Sequence, residues 1–205
     1  MKRLAEAKIG DTVALPQPVT QGRMSVEEAI RRRRSCRDFR GEDLTVEQVS
    51  QISWSAQGIT GPPHLRAAPS AGACYPLELY LVCRHGLFRY LPHEHAVVKT
   101  SERDHRERLA RAALGQAFIA EAPLTVALAA VYERTTRRYG DRGLRYVYMD
   151  VGVAAENVHL QAEALGLGSV SVGAFDDNAV ARALDLPEQE QPVYLIPVGR
   201  RAGGD

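Results

Sequence analysis

The stretch from Arg145 to Leu165 constrains this chain more than any other. Val147, Val151, Val153, Ala154, Val158, Leu160 and Ala164 recur at helical spacing and nearly encircle the helix axis. Such a helix needs protein on every side. Pairing with its own copy about a two-fold axis meets that need, so a homodimer is expected. Gly166 and Gly168 end the helix. Upstream, Leu124 to Tyr132 is almost wholly apolar, the pattern of a central strand covered on both faces. A chain of 205 residues, 45% of them hydrophobic, has the material for the core these elements require.

The remaining pattern gives a single α+β domain over residues 25–205, preceded by an irregular N-terminal arm, residues 1–24, that carries Pro16, Pro18 and Gly22. Ser25 and Glu28 form a capping box for a helix ending near Ser35. Thr45 and Gln48 form a second, with Leu44 and Val49 as its hydrophobic staple. Val49, Ile52, Ser53 and Ala56 make one stripe of that second helix, and Gly58 suits its C′ position. Residues 59–70 read as loop. Glu78–Cys83 and Leu87–Tyr90 read as a hairpin. Ser101 is placed to cap a charged helix to about Ala113, with a short one following to Ala120. Val170–Val172 is a short strand, Asp177 caps a last helix to Leu184, and Val193–Val198 is the final strand.

Composition narrows the function. The net charge is +1, which supplies no field for nucleic acid. No apolar run is long enough to span a membrane, and no signal peptide is apparent. The three cysteines, Cys36, Cys74 and Cys83, have neither metal-site spacing nor an even count, which fits a reduced cytoplasm. The histidines are scattered, and His93 and His95 lack a third ligand at a telling distance, so no metal site is expected.

Three segments carry possible chemistry. In RRRRSCRDF, 31–39, guanidiniums crowd beside a serine hydroxyl, either a solvated basic helix end or a phosphate site. In APSAGACYPLELYLV, 68–82, the chain sheds its side chains before entering a strand, either a turn or a surface for a large flat ligand. In GLGSVSVGAF, 166–175, the glycines leave a helix and enter a strand, the reverse of a dinucleotide fingerprint. Small residues after Val172 can open backbone N–H groups to a ligand or merely turn the chain.

Taken in order, RRSCRDF (33–39), PSAGACYPLELYLV (69–82), RYGDRGLRYVYMDVGVAAENVHLQAEALGLG (138–168) with SVSVGAF, and PVYLIPVGR (192–200) resemble the FMN-dependent nitroreductase superfamily. The nearest branch is that of the SagB/ThcOx-type dehydrogenases. The resemblance implies a nitroreductase-like sandwich with a mainly antiparallel central sheet flanked by helices. It also implies an intertwined homodimer holding FMN at its interface, with NAD(P)H as co-substrate and a small organic molecule as the second reactant. Arg33, Arg34, Ser35 and Arg37 would bind the flavin phosphate and ribityl chain, with Arg200 or Arg201 assisting. Pro69, Ser70, Ala71, Gly72 and Ala73 would lie along the flavin from the partner subunit. Val172, Gly173 and Ala174 would bring a backbone N–H to flavin N5. Arg138-Tyr139 stands where azoline oxidases of this branch carry Lys-Tyr. Arginine is no proton-transfer base, which favours a stand-alone reductase or dehydrogenase over azoline oxidation, with a non-catalytic flavin-binding subunit as the other alternative. Tyr139 is the candidate catalytic residue.

Overall fold

The computed structural model describes residues 2–203. Helix α1 (Lys2–Glu6) and strand β1 (Thr12–Ala14) precede α2 (Val26–Arg32) and α3 (Val46–Gln57). Strands β2 (Ile59–Gly61) and β3 (Leu65–Arg66) form a small hairpin. After them come β4 (Leu77–Cys83), β5 (Gly86–Leu91), β6 (Ala96–Ser101), α4 (Arg106–Ala112), α5 (Phe118–Glu121) and β7 (Leu124–Ala130). The chain closes with α6 (Glu133–Tyr139), α7 (Arg142–Ala164), β8 (Gly168–Ser169), α8 (Asp177–Ala183) and β9 (Gln191–Gly199).

Seven strands form one sheet in the order β1-β6-β5-β4-β7-β9-β8, with every ladder antiparallel. The α+β sandwich with an antiparallel sheet is therefore the observed architecture. Strand alternation sorts the core into two layers. Leu79, Leu81, Val126, Leu128 and Ile196 face Ile52 of α3 and Val147, Val151 and Val158 of α7. Tyr80, Val82, Ala127, Ala129 and Leu195 face Leu109, Ile119 and Val180 of α4, α5 and α8. Strand β7 lies between β4 and β9 and is buried at every residue, as its apolar run predicts.

The helix starts at Ser25 and Thr45 are read correctly. Ser25 accepts a bond from the Glu28 N–H, but the Glu28 side chain pairs with Arg32 at 3.2 Å instead of closing the box, whereas Thr45 and Gln48 exchange both bonds of a capping box. Several other expectations are corrected. The N-terminal segment is not irregular: β1 pairs with β6, and Leu4 and Leu15 are buried in the core. The 59–70 loop contains the β2–β3 hairpin. Gly58 caps α3 with φ −66°, outside the left-handed region. Ser101 ends a strand instead of capping a helix, and its Oγ lies 2.7 Å from His105 Nε2 just before α4. Helix α7 begins three residues earlier than expected, at Arg142. The strand assigned to Val170–Val172 is β8 at Gly168–Ser169, with a single bridge at Val172. Asp176, not Asp177, caps α8 by accepting from the Ala179 N–H. Nor is α7 enclosed within one chain, since Leu144, Tyr148, Met149 and Val153 are exposed along one side.

Gly86 closes the β4–β5 turn at φ +129°, and a Cβ there would stand 2.1 Å from the Ser101 carbonyl oxygen. Gly86→Ala is expected to cost at least about 1–3 kcal/mol through backbone strain alone. Urea unfolding should show a lowered midpoint with an unchanged slope.

Candidate functional site

The chain leaves α2 at Arg33 and threads between β8 and the C-terminal segment. Ser35 forms a parallel bridge to Ser169, and the Cys36 N–H donates to the Ser169 carbonyl at 2.9 Å. Phe39 pairs with Arg201, and the Arg40 N–H donates to the Arg200 carbonyl at 2.8 Å. Gly168 permits this crossing, because a Cβ there would fall 2.6 Å from the Cys36 Cβ. The result gathers Arg33, Arg34, Ser35, Arg37, Arg200 and Arg201 at one end of the sheet.

Their charges are committed differently. Arg201 pairs with Glu163, a 3% exposed carboxylate of α7. Arg200 lies 3.5 Å from Glu42. Arg34 donates to the carbonyls of Arg31 and Arg33, at 3.2 and 2.7 Å. The Arg37 guanidinium sits 5.9 Å from the Phe118 ring centre. Among the described residues, Arg33, Arg34 and Arg37 form no ion pair. Several guanidiniums without counter-ions beside an exposed serine suit a phosphate, so this donor set fits the phosphate end of FMN.

Beneath this rim, His159 of α7 is buried with a serine hydroxyl on each ring nitrogen. Nδ1 is 2.7 Å from Ser169 Oγ, and Nε2 is 2.6 Å from Ser171 Oγ. Burial, reinforced by the nearby Arg33 charge, pulls the imidazole down to about 4. Just beyond, Val172 exchanges both backbone bonds with Leu195, at 2.8 and 3.0 Å. Gly173 and Ala174 then leave the sheet and are exposed.

The small-residue loop lies at the other end. Strand β4 starts at Leu77, opposite Ala130, where β7 finishes. Pro69 to Ala73 run over Asp150 of α7, and Ala71–Ala73 form a single 3-10 turn. Ser70 Oγ accepts the Tyr75 N–H at 2.9 Å. Burial raises Asp150 against the opposing pull of Ser70 and the Ala71 backbone, and its Oδ2 has no hydrogen-bond partner.

Gly72 has a reason for its size within this one chain. Its φ is +59°, and a Cβ would lie 2.5 Å from the Tyr139 hydroxyl and 2.8 Å from Arg138 Nη1. Arg138 donates to the Gly72 carbonyl at 3.1 Å. Tyr139 therefore sits over the loop, edge-on to Tyr146 at 5.1 Å. Exposed small residues at 69 and 73 leave the outer face of the loop open.

One chain does not bring the two halves together. Asp150 marks the loop end of α7 and Glu163 the arginine end, about 20 Å apart at 1.5 Å of rise per residue. The sequence reading passed over Asp150, His159 and Glu163. The signal was present: each interrupts the apolar face by which α7 packs on the sheet. Among the described residues, no three His, Cys, Asp or Glu side chains converge as a metal would require. No helix there is long and apolar enough to cross a membrane.

Comparison with known proteins agrees with this architecture. The family model described as the nitroreductase family matches residues 30–200. A Methanocaldococcus jannaschii protein that carries the name nitroreductase is 44% identical, over 94% of this chain and 99% of its own. A crystal structure from Ralstonia eutropha, also named as a nitroreductase, superposes with a TM-score of 0.85 at 28% identity, covering 94% of this chain and 90% of that one. The NADPH:FMN oxidoreductase of Vibrio harveyi, solved with NAD+, shares the fold at a TM-score of 0.64 and 22% identity, covering 87% and 69%.

The His159 environment makes a pH prediction. Its pKa is about 4 when folded, against about 6.5 in an unfolded chain, so the unfolded state binds more protons between those values. Stability from this group is complete above pH 6.5 and is lost as pH falls toward 4, by about 3 kcal/mol. His159→Gln should flatten that part of a stability-against-pH curve measured by urea titration.

Proposed function

We propose that this chain, which belongs to the nitroreductase family, is an FMN-dependent oxidoreductase that acts as a homodimer. It transfers a hydride between NAD(P)H and a small organic acceptor. One observation carries the reading. Three arginines without counter-ions, Arg33, Arg34 and Arg37, and a loop stripped of side chains stand at opposite ends of α7, and exposed apolar residues from Leu144 to Val153 lie beside the loop end. Antiparallel pairing of α7 with a second copy covers Leu144, Tyr148, Met149 and Val153 and carries the rim of each chain toward the loop of the other.

Each residue group then has a task. Arg33, Arg34 and Arg37 hold the phosphate with Ser35, while Glu163 fixes Arg201 and keeps the rim in place. Pro69 to Ala73 give a flat ring system room against backbone. Gly173 and Ala174 offer main-chain groups at a strand end. When bound, FMN supplies the two-electron chemistry, so no side chain need act as nucleophile or metal ligand. Tyr139, which lies over Gly72, is the side chain assigned to meet a reactant at the loop. The Vibrio harveyi enzyme, whose name joins NADPH and FMN, supports the choice of co-substrate.

The protein should purify yellow or turn yellow with added FMN, and NADH or NADPH should bleach it. Colourless protein that ignores FMN overturns the proposal. A flavin that neither nucleotide reduces indicates a passive binder. Arg34→Ala should weaken FMN binding about ten- to a hundredfold, the scale of a lost charge-assisted contact, while the protein stays folded. Fluorescence titration measures this, and unchanged affinity places the phosphate elsewhere. Val153→Glu should give a monomer in sedimentation and lose flavin with it, since both halves of the site then separate.

A further inference from the structure

We propose that Ser171 is a ligand-binding hydroxyl, aimed by His159, that donates a hydrogen bond to the flavin of the proposed site. The inference starts from the imidazole. Both ring nitrogens are taken by serine oxygens, at 2.7 Å for Ser169 and 2.6 Å for Ser171. A neutral imidazole donates from one nitrogen and accepts at the other, so the two serines must play opposite parts.

Burial decides which part each takes. Ser169 is 4% exposed, and its hydroxyl hydrogen needs an acceptor inside the protein, which the bare Nδ1 supplies. Ser171 is half-buried and opens toward solvent. Nε2 therefore carries the proton and donates to Ser171 Oγ. With its lone pair engaged by the ring, the Ser171 O–H is left to donate outward.

Neutrality follows from the neighbours. Arg33 approaches from the end of α2, and Arg201 pairs with Glu163 one turn further along α7. Burial and Arg33 together oppose a second proton on the ring. Ser171 lies between Ser169, which bridges to Ser35 at the arginine rim, and Val172, after which Gly173 and Ala174 become exposed. A donor at that position faces a ligand whose phosphate sits on the rim. Flavin, with its ring carbonyls, ring nitrogens and ribityl oxygens, presents the acceptors it needs.

The proposal rests on the FMN reading, and its test separates the two. Ser171→Ala should raise the FMN dissociation constant roughly five- to tenfold and perturb the bound flavin absorption bands. Ser169→Ala should lower thermal stability while leaving FMN affinity within about twofold. Histidine-labelled 15N spectra at pH 7, recorded without flavin, should show His159 as the neutral Nε2–H tautomer. An Nδ1–H tautomer, a charged ring, or a Ser171→Ala variant with wild-type affinity and spectrum overturns the assignment. If the wild-type protein takes up no FMN, the flavin reading fails and the role of Ser171 toward it fails as well. The tautomer result then still reports whether the hydroxyl is aimed outward.

Discussion

The packing of α7 against the sheet sets almost every other position in this protein. Val147, Val151, Ala154 and Val158 lie at 0–6% exposure against β4, β7, β9 and α3. Burying each valine contributes on the order of 1.5–3 kcal/mol, so the helix cannot shift without a large loss. Three polar residues on the same buried side use that rigidity. Asp150 meets the 69–73 loop, His159 meets Ser169 and Ser171, and Glu163 meets Arg201. Each would be costly to bury alone, and each is partnered by a segment that borders the candidate site.

The far end of the sheet is held by charge. Arg134 binds Glu78 at 2.6 Å and the Tyr75 carbonyl at 3.0 Å. Arg89 binds Glu78 at 2.8 Å and approaches Glu190, whose other oxygen accepts from the Tyr80 hydroxyl at 2.7 Å. Burial raises Glu190, and burial together with Glu190 raises Tyr80. Arg66 lies 4.6 Å over the Tyr75 ring. Tyr75 is thus gripped at its carbonyl and its ring, which fixes the exit of the small-residue loop just before β4. The loop is stripped of side chains but not of support.

The segments that sequence reading missed share one cause. Strand β1 has three residues of mixed burial and exists because β6 offers an edge to pair with. Strand β6 was hidden because Ser101 looks like a helix cap when its strand partners are unknown. Helix α6, ERTTRRY, has no apolar stripe of its own and is held by packing on α7. Local pattern cannot register an element whose stability is supplied by a neighbour distant in sequence.

What the sequence determined by itself was whatever short-range chemistry dictates. Ser25 and Thr45 start helices because their side chains reach N–H groups three residues on. The apolar run 124–130 becomes a strand covered on both faces because it has no polar side to offer water. The arginine segment and the cleared loop stood out as candidates for binding chemistry, each with a plainer alternative as a solvated helix end or a turn. Only the tertiary structure decided where these pieces lie. It put the rim and the loop at opposite ends of α7, turned one apolar side of that helix outward, and placed a buried histidine between two serines. Those outcomes depend on which buried groups find partners across the fold, and partners far apart in sequence, as Tyr80 and Glu190 are at 110 residues, leave no mark in local periodicity.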